Sequence, residues 1–367
     1  MIFRLFKYLT ALLLCSLLSS SAFAFKVGVS MPSTHLARWS YDGRYLKEYL
    51  EQANHKVDVR YANDSDIAHQ INDIRNLIES GCEVLVVAPV DGVNLIAVLE
   101  EAKAKDIPVI AYDRLIMGTD AIKAYVTFDN YKIGQLQANY IEKKLALSFI
   151  GSNSANIEIF EGDISDRCVD YYYKGSMDVL KPYFDEKKLF CLSNQTKLDD
   201  VTIVNWSSDL AYERMKMLIK TNNYGPASTN TKLDAVLAAN DSVANGVIKA
   251  LLEAGYDKSR MPVITGQDCD LDSLFYIKTG LQSMSVFVDV RLLAKNTVRI
   301  VNSFAETETI NDYDRLSYFN GVTNIPALVS EPEIVTKKKI KSVLFDSGYY
   351  SKEDNAKLKK RIKESRK

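Results

Sequence analysis

From Phe25 onward, short β-branched apolar runs alternate with longer stretches whose apolar residues recur every three to four positions. Lys26-Val-Gly-Val-Ser-Met31 reads as a first strand and Trp39 to Ala53 as a helix. Strand Lys56–Tyr61 precedes a helix from Ser65 to Glu79, and strand Glu83–Ala88 precedes one from Gly92 to Lys105. Ile107–Tyr112 and Ala124–Phe128 are two further strands. These runs are apolar at successive positions, as expected of a parallel sheet covered by helices on both faces.

The pattern restarts after Asp129. Helices are predicted over Tyr131–Leu147, Val169–Leu180, Leu210–Lys220 and Ser242–Ala254. Strands are predicted at Asn156–Phe160, Leu189–Leu192, Ala235–Ala239, Met261–Thr265 and Leu281–Phe287, with a last long helix from Val290 to Phe304. Asp64-Ser65 and Asp241-Ser242 sit where helix N-caps belong. Two successive βα series of similar size predict an α/β chain of two doubly wound lobes. A length of 367 residues suits two cores.

The first 24 residues stand outside that pattern. Arg4 and Lys7 precede the apolar run Leu9–Leu18, and Ala22-Phe-Ala24 forms a small-x-small site. This is the layout of an export signal cut after Ala24; the run is too short for a spanning helix, which wants roughly 20 apolar residues. Export permits disulfides, but Cys82, Cys168, Cys191 and Cys269 have irregular spacings and no CxxC. His35, His55 and His69 do not pair at metal-ligand spacing, so no metal site is expected.

A net charge of -1 excludes a global field for nucleic acid, so function has to come from sites. Only the C-terminal segments, Lys337–Lys341 and Lys352–Lys367, are strongly basic; they read as a solvated terminal helix and disordered tail. In doubly wound sheets the ligand crevice lies beyond the carboxyl ends of the strands. Those ends carry Arg38 and Trp39, Asp113 and Arg114, Glu161 to Arg167, Asn240 and Asp241, and Gln267 and Asp268. Trp206 lies beside another polar cluster. Such a set suits a sugar, whose hydroxyls both donate and accept while its ring packs on an indole. Asp241 is equally a helix cap, and Asp113 and Asp268 taken singly read the same way. There is no GxSxG elbow, no GxxxxGK[ST] loop and no GxGxxG after the first strand, so neither catalysis nor a cofactor is expected.

Gly28-Val-Ser-Met-Pro32, Ala37-Arg-Trp39, Val87-Ala-Pro-Val-Asp-Gly92, Ala111-Tyr-Asp-Arg-Leu115 and Thr127-Phe-Asp-Asn130 together resemble the xylose- and multiple-sugar-binding members of the periplasmic type I binding proteins. The resemblance continues through Lys174-Gly-Ser-Met-Asp178, Val179-Leu-Lys-Pro-Tyr183, Ala239-Asn-Asp241, Gly266-Gln-Asp268 and Asp346-Ser-Gly-Tyr-Tyr350. It implies a periplasmic type I fold, with lobes of residues 25–129 plus 289–321 and 130–288 plus 322–367. Three crossings would lie near Asp129, Phe287 and Val322. It further implies a monomer in the periplasm that binds a pentose or hexose and serves an ABC permease, or alternatively a membrane sensor. The implied ligand contacts are Arg38, Trp39, Asp113, Arg114, Arg167, Trp206, Asn240, Asp241 and Asp268. Three places depart from the pattern. Thr34 replaces a lysine, Arg167-Cys168 replaces paired asparagines, and Val288 stands near a lysine or amide position, with Arg167 offered as a substitute donor.

Overall fold

Parallel strands that are apolar on both faces need helices above and below, and the computed structural model builds two such layered units in succession. It describes residues 24–34, 36–62, 66–151, 153–305 and 310–365. The export signal, Ala24 apart, and the Asp64-Ser65 cap lie outside the described residues.

The first sheet is formed by β1 (Lys26–Met31), β2 (Lys56–Tyr61), β3 (Val84–Val87), β4 (Val109–Tyr112), β5 (Ile122–Phe128) and β11 (Ala327–Ser330). Its order is β11-β5-β4-β3-β1-β2, parallel throughout. Helices α1 (Ala37–Gln52) and α10 (Val290–Ala305) cover one face; α2 (Ile67–Glu79) and α3 (Ile96–Lys103) cover the other. Strand β3 shows why its run is continuously apolar. Val84 and Val86 share a core with Leu46 and Leu50, while Leu85 and Val87 share one with Ile74 and Leu99.

The second sheet has the order β7-β6-β8-β9, from β6 (Ala155–Phe160), β7 (Leu189–Phe190), β8 (Ala235–Ala238) and β9 (Val263–Ile264). A bridge between Gln267 and Val286 continues it into β10 (Ser285–Phe287), which pairs antiparallel with β12 (Glu333–Val335). Around it lie α4 (Asn130–Leu145), α5 (Cys168–Asp185), the short α6 (Leu198–Val201), α7 (Ser208–Thr221), α8 (Asp241–Glu253) and α9 (Leu271–Thr279). The doubly wound expectation is met. Helix α5 runs past the expected Leu180 to Asp185, with Pro182 in its final turn, where its missing N–H leaves out one bond of the ladder.

The chain leaves the first sheet at Asp129, whose side chain caps α4 by accepting from the Lys132 N–H (2.8 Å). It returns at residues 288–289, between β10 and α10. The third crossing does not fall near Val322. Hydrogen bonding keeps Ala327–Ser330 on the edge of the first sheet, against Tyr125–Phe128, and the chain crosses only at residues 331–332. Main-chain pairing sets this boundary, and the side-chain pattern does not reveal it. The Asp129 N–H donating to the Ser330 carbonyl (3.0 Å) ties the first and third crossings together.

The basic C-terminus is more ordered than its composition suggests. Residues Lys352–Glu364 form α11, started by a capping box between Ser351 and Asp354. Leu358 and the half-buried Ile362, four residues apart, seat it on α9. All four described cysteines are buried free thiols. No described helix is long and apolar enough to cross a membrane, and no cluster among the described residues has the makings of a metal site.

Candidate ligand-binding cleft

The carboxyl ends of both sheets face each other, and the polar residues that follow the strands meet there. Asp113 directly follows β4 and adopts φ +62°, a left-handed conformation that Asp tolerates better than most residues. Its carbonyl is pinned by three donors: Tyr125 Oη (2.5 Å) and Thr127 Oγ1 (3.1 Å) from β5, and Cys168 Sγ (3.2 Å) from the other lobe. The neighbouring strand thus fixes the carboxylate's direction. In the second lobe, Asp268 (φ +98°) and Cys269 (φ +60°) form a comparable turn. The Asp268 N–H donates to Val286 and the Cys269 carbonyl accepts from Tyr350 Oη (3.0 Å). Strained turns held from several sides are where proteins present ligand contacts.

Arg38 lies between these two turns. Its guanidinium makes a 2.7 Å hydrogen bond to Asp113, lies 3.3 Å from Asp42 of its own helix, and reaches to 3.8 Å from Asp268 across the cleft. Burial opposes its charge, but Asp113, Asp42 and Asp268 outweigh that and hold it firmly protonated. Arg114 makes a second cross-lobe ion pair, its Nε 2.8 Å from Asp166. Two indoles complete the walls. Trp39 carries Arg38 and Arg114 at 4.5 and 5.2 Å from its ring. Trp206 sits edge-on to Tyr172 and lies flat across Gly162, where any Cβ would come within 2.1 Å of the ring.

The innermost space is lined by Leu36, Arg38, Trp39, Asp113, Arg114, Asp166, Tyr172, Trp206, Asn240, Gln267 and Asp268. It measures about 20 Å³, roughly room for one water, because the Arg38 bridge fills it. It adjoins a chamber of about 290 Å³ that shares Leu36, Trp39, Arg114 and Trp206. Three buried polar atoms in the inner wall have no hydrogen-bond partner among the described residues: Arg114 Nε, which meets Asp166 as an ion pair without hydrogen-bond geometry, the Trp206 Nε1 donor and the Gln267 Oε1 acceptor.

Seven of the nine residues expected from the sequence meet here: Arg38, Trp39, Asp113, Arg114, Trp206, Asn240 and Asp268. Two do not. The Arg167 side chain, at the N-cap of α5, is 42% exposed, pairs with Asp170 (3.4 Å), passes beside Gly92 of the first lobe and stays outside the lining of the cleft. Asp241 is fully buried behind the wall as the first residue of α8. Its carboxylate accepts from Gln282 (2.9 Å), Ser285 (3.0 Å) and the Asp270 N–H (2.9 Å), and so braces the Asp268 turn. The cap of α8 is Asn240, not Asp241; its Oδ1 accepts from the Val243 N–H (2.9 Å). Thr34 is exposed and Val288 is buried, both away from the lining.

Sequence reasoning passed over Asp166, Tyr172, Gln267 and Leu36 as contacts. Asp166 and Gln267 belong to polar strand-end segments already singled out. Tyr172 carries no local signal, since it lies inside a helix, in its second turn, and only the crossing of α5 over the cleft brings it to the wall.

Burial raises several carboxyls here. Asp42 is pushed up to about 6, its burial outweighing Arg38. Asp270 rises to about 7 through burial and the neighbouring Asp268, and Glu161 to about 8 through burial alone. An unfolded chain titrates these groups near ~4. The folded protein therefore holds protons that the unfolded chain releases between about pH 4 and 8, and stability falls as pH rises across that window. Melting of the ligand-free chain is expected to occur at lower temperature at about pH 8 than at about pH 5. A melting temperature that climbs over that interval would contradict this electrostatic picture.

Two doubly wound lobes, three crossings and a polar cleft between them define a bilobal binding protein. Residues 27–309 match the family described as periplasmic binding protein domain, and the chain belongs to that family. It is 38% identical over 326 residues to the multiple sugar-binding periplasmic receptor ChvE of Rhizobium radiobacter, covering 88% of this chain and 90% of that one. It is 31% identical over 345 residues to the D-xylose-binding periplasmic protein of Escherichia coli K12, covering 94% and 96%. Among solved structures, an ABC transporter solute-binding protein from Clostridium phytofermentans with bound β-D-glucose superposes with a TM-score of 0.85 at 41% identity. That match covers 90% of this chain and 99% of that one.

Proposed function

We propose that this chain is an exported periplasmic protein that takes a monosaccharide, a pentose or hexose, between its lobes and hands it to an ABC importer. The observation that carries this reading is the mixed polarity of the inner wall. Carboxylates, guanidinium groups, an amide, and the unpaired Trp206 Nε1 and Gln267 Oε1 surround one point, between two indole faces. A polyol meets donors and acceptors alike, while its ring packs on the indoles. The ligand-binding set is Arg38, Trp39, Asp113, Arg114, Asp166, Tyr172, Trp206, Asn240, Gln267 and Asp268. The relatives' names and the glucose-bound neighbour support the same class of ligand.

The mechanism is hinge closure. The cross-lobe pairs of Arg38 with Asp268 and Arg114 with Asp166 stand where ligand hydroxyls would sit, so the sugar enters the open form and replaces or joins these ionic bridges. The closed form is then what the membrane partner reads. No group in this arrangement is assigned a catalytic role. A second reading, as the ligand-sensing component of a membrane sensor, is favoured by the 38% identical relative being named a receptor.

A thermal-shift screen over pentoses, hexoses, sugar acids and inositols tests the proposal. A ligand at ~100 times its dissociation constant adds about 2.7 kcal/mol of stability. For a chain of this size that is a shift of several degrees. No shift with any sugar would defeat the assignment.

A further inference from the structure

The basic C-terminus takes no part in the cleft. Residues 337–367 contain twelve Lys and Arg against four Asp and Glu, a net charge of +8 in a chain whose total is -1; the preceding residues therefore carry -9. The described part of the segment, residues 337–365, is held in place rather than trailing. Leu358 is buried, and Arg361 pairs with Asp272 of α9 and lies 4.2 Å over the Phe275 ring. Helical spacing puts Lys352, Lys359, Lys360 and Lys363 on the side of α11 opposite Leu358. These four are exposed, and among the described residues none has a carboxylate partner, in contrast to Lys357, which pairs with Glu353 (3.0 Å). Lys337 and Lys338 are exposed and without a carboxylate partner as well, and the Lys337 carbonyl accepts from Lys278 Nζ at the end of α9 (3.2 Å).

We propose that this lysine face of the second lobe is a docking surface for the anionic headgroups of a phospholipid bilayer. Three features select lipid over an acidic protein. The free charges are lysines, mobile point charges that suit a diffuse headgroup field, whereas arginine forks suit fixed carboxylates. No large apolar side chain between residues 331 and 365 is exposed among the described residues, so the face lacks the aromatic and apolar anchors that dominate protein interfaces. The remaining -9 is repelled by the same surface, so attraction through α11 also orients the molecule. Polybasic segments gain affinity for anionic leaflets roughly in proportion to the number of lysines near the surface, and salt screens that gain. This inference is independent of which ligand the cleft takes.

The test is co-sedimentation of the chain with vesicles of phosphatidylglycerol and phosphatidylethanolamine, against vesicles of phosphatidylcholine. At low ionic strength at least about tenfold more protein is expected on the anionic vesicles, falling to the neutral level at ~0.5 M salt, where the screening length is a few ångströms. The quadruple variant K352Q, K359Q, K360Q, K363Q is expected to lose that difference while keeping its melting temperature and ligand affinity. Equal binding to both vesicles, binding insensitive to salt, or unchanged binding by the variant would each overturn the proposal. So would binding confined to vesicles that carry a purified membrane importer, which would assign the face to a protein. The salt titration on the unaltered chain decides the matter even if the variant folds poorly.

Discussion

Asp113→Asn is expected to weaken sugar binding by roughly 10- to 150-fold, with the fold intact. A hydrogen bond to a charged group contributes about 1.5–3 kcal/mol net, which is that range in dissociation constant. Asparagine is the informative replacement because it tolerates the φ of +62° that alanine would resist. The three donors that pin this residue act on its carbonyl, which the substitution leaves in place. Arg38 keeps Asp42 and Asp268 as neighbours, so the change removes a ligand partner without stranding a buried cation. Calorimetry on the sugar found by the thermal screen gives the answer, with Arg167→Ala as the contrast. That variant should bind as the parent does, since the Arg167 side chain takes no part in the lining of the cleft and pairs instead with Asp170. Unchanged affinity in Asp113→Asn would mean that the cleft is not the site.

Gly175→Ala should lower stability by about 2–4 kcal/mol, although glycine-to-alanine in a helix interior ordinarily gains close to ~1 kcal/mol. The reason is the crossing of α4 and α5. A Cβ on Gly175 would stand 2.0 Å from the Tyr131 carbonyl oxygen, and one on Gly134 would stand 2.0 Å from that of Tyr172. Both obstacles are backbone, so the helices must separate, and overpacking at a rigid contact costs more than propensity returns. The same displacement would shift Tyr172 and Cys168, three and seven residues earlier on α5, so ligand affinity should fall along with stability. Urea unfolding reads the sign directly; a stabilised variant would show that the two helices do not meet as described.

Most of the apolar strands, most helices between them and the restart after Asp129 were legible in the chain; α9 and the strands β11 and β12 were not. Each legible feature is a local consequence of burying both sheet faces, and the sheets formed accordingly. The polar strand ends were legible for the same reason, since a residue just beyond a parallel strand faces the crevice whatever its partners are. Arg167 and Asp241 show where that reasoning stops. Both follow a strand in the expected loops, but one side chain pairs with Asp170 outside the lining at the start of α5 and the other is drawn behind the wall by Gln282 and Ser285. Orientation within a loop depends on neighbours far away in sequence. The third crossing was misplaced on similar grounds, since the pairing of Ala327–Ser330 with Tyr125–Phe128 joins segments some 200 residues apart.

The sequence alone determined the class of the fold, the two lobes and most of the residue types around the cleft, because periodicity and strand ends are written locally. Only the tertiary structure decided which polar residues converge, that Arg38 and Arg114 link the lobes, and that Tyr172 and Gln267 belong to the wall. It also decided that the basic tail is a seated helix with one free lysine face. Those outcomes rest on long-range contacts and on the directions of individual side chains, and no local pattern of residues encodes either.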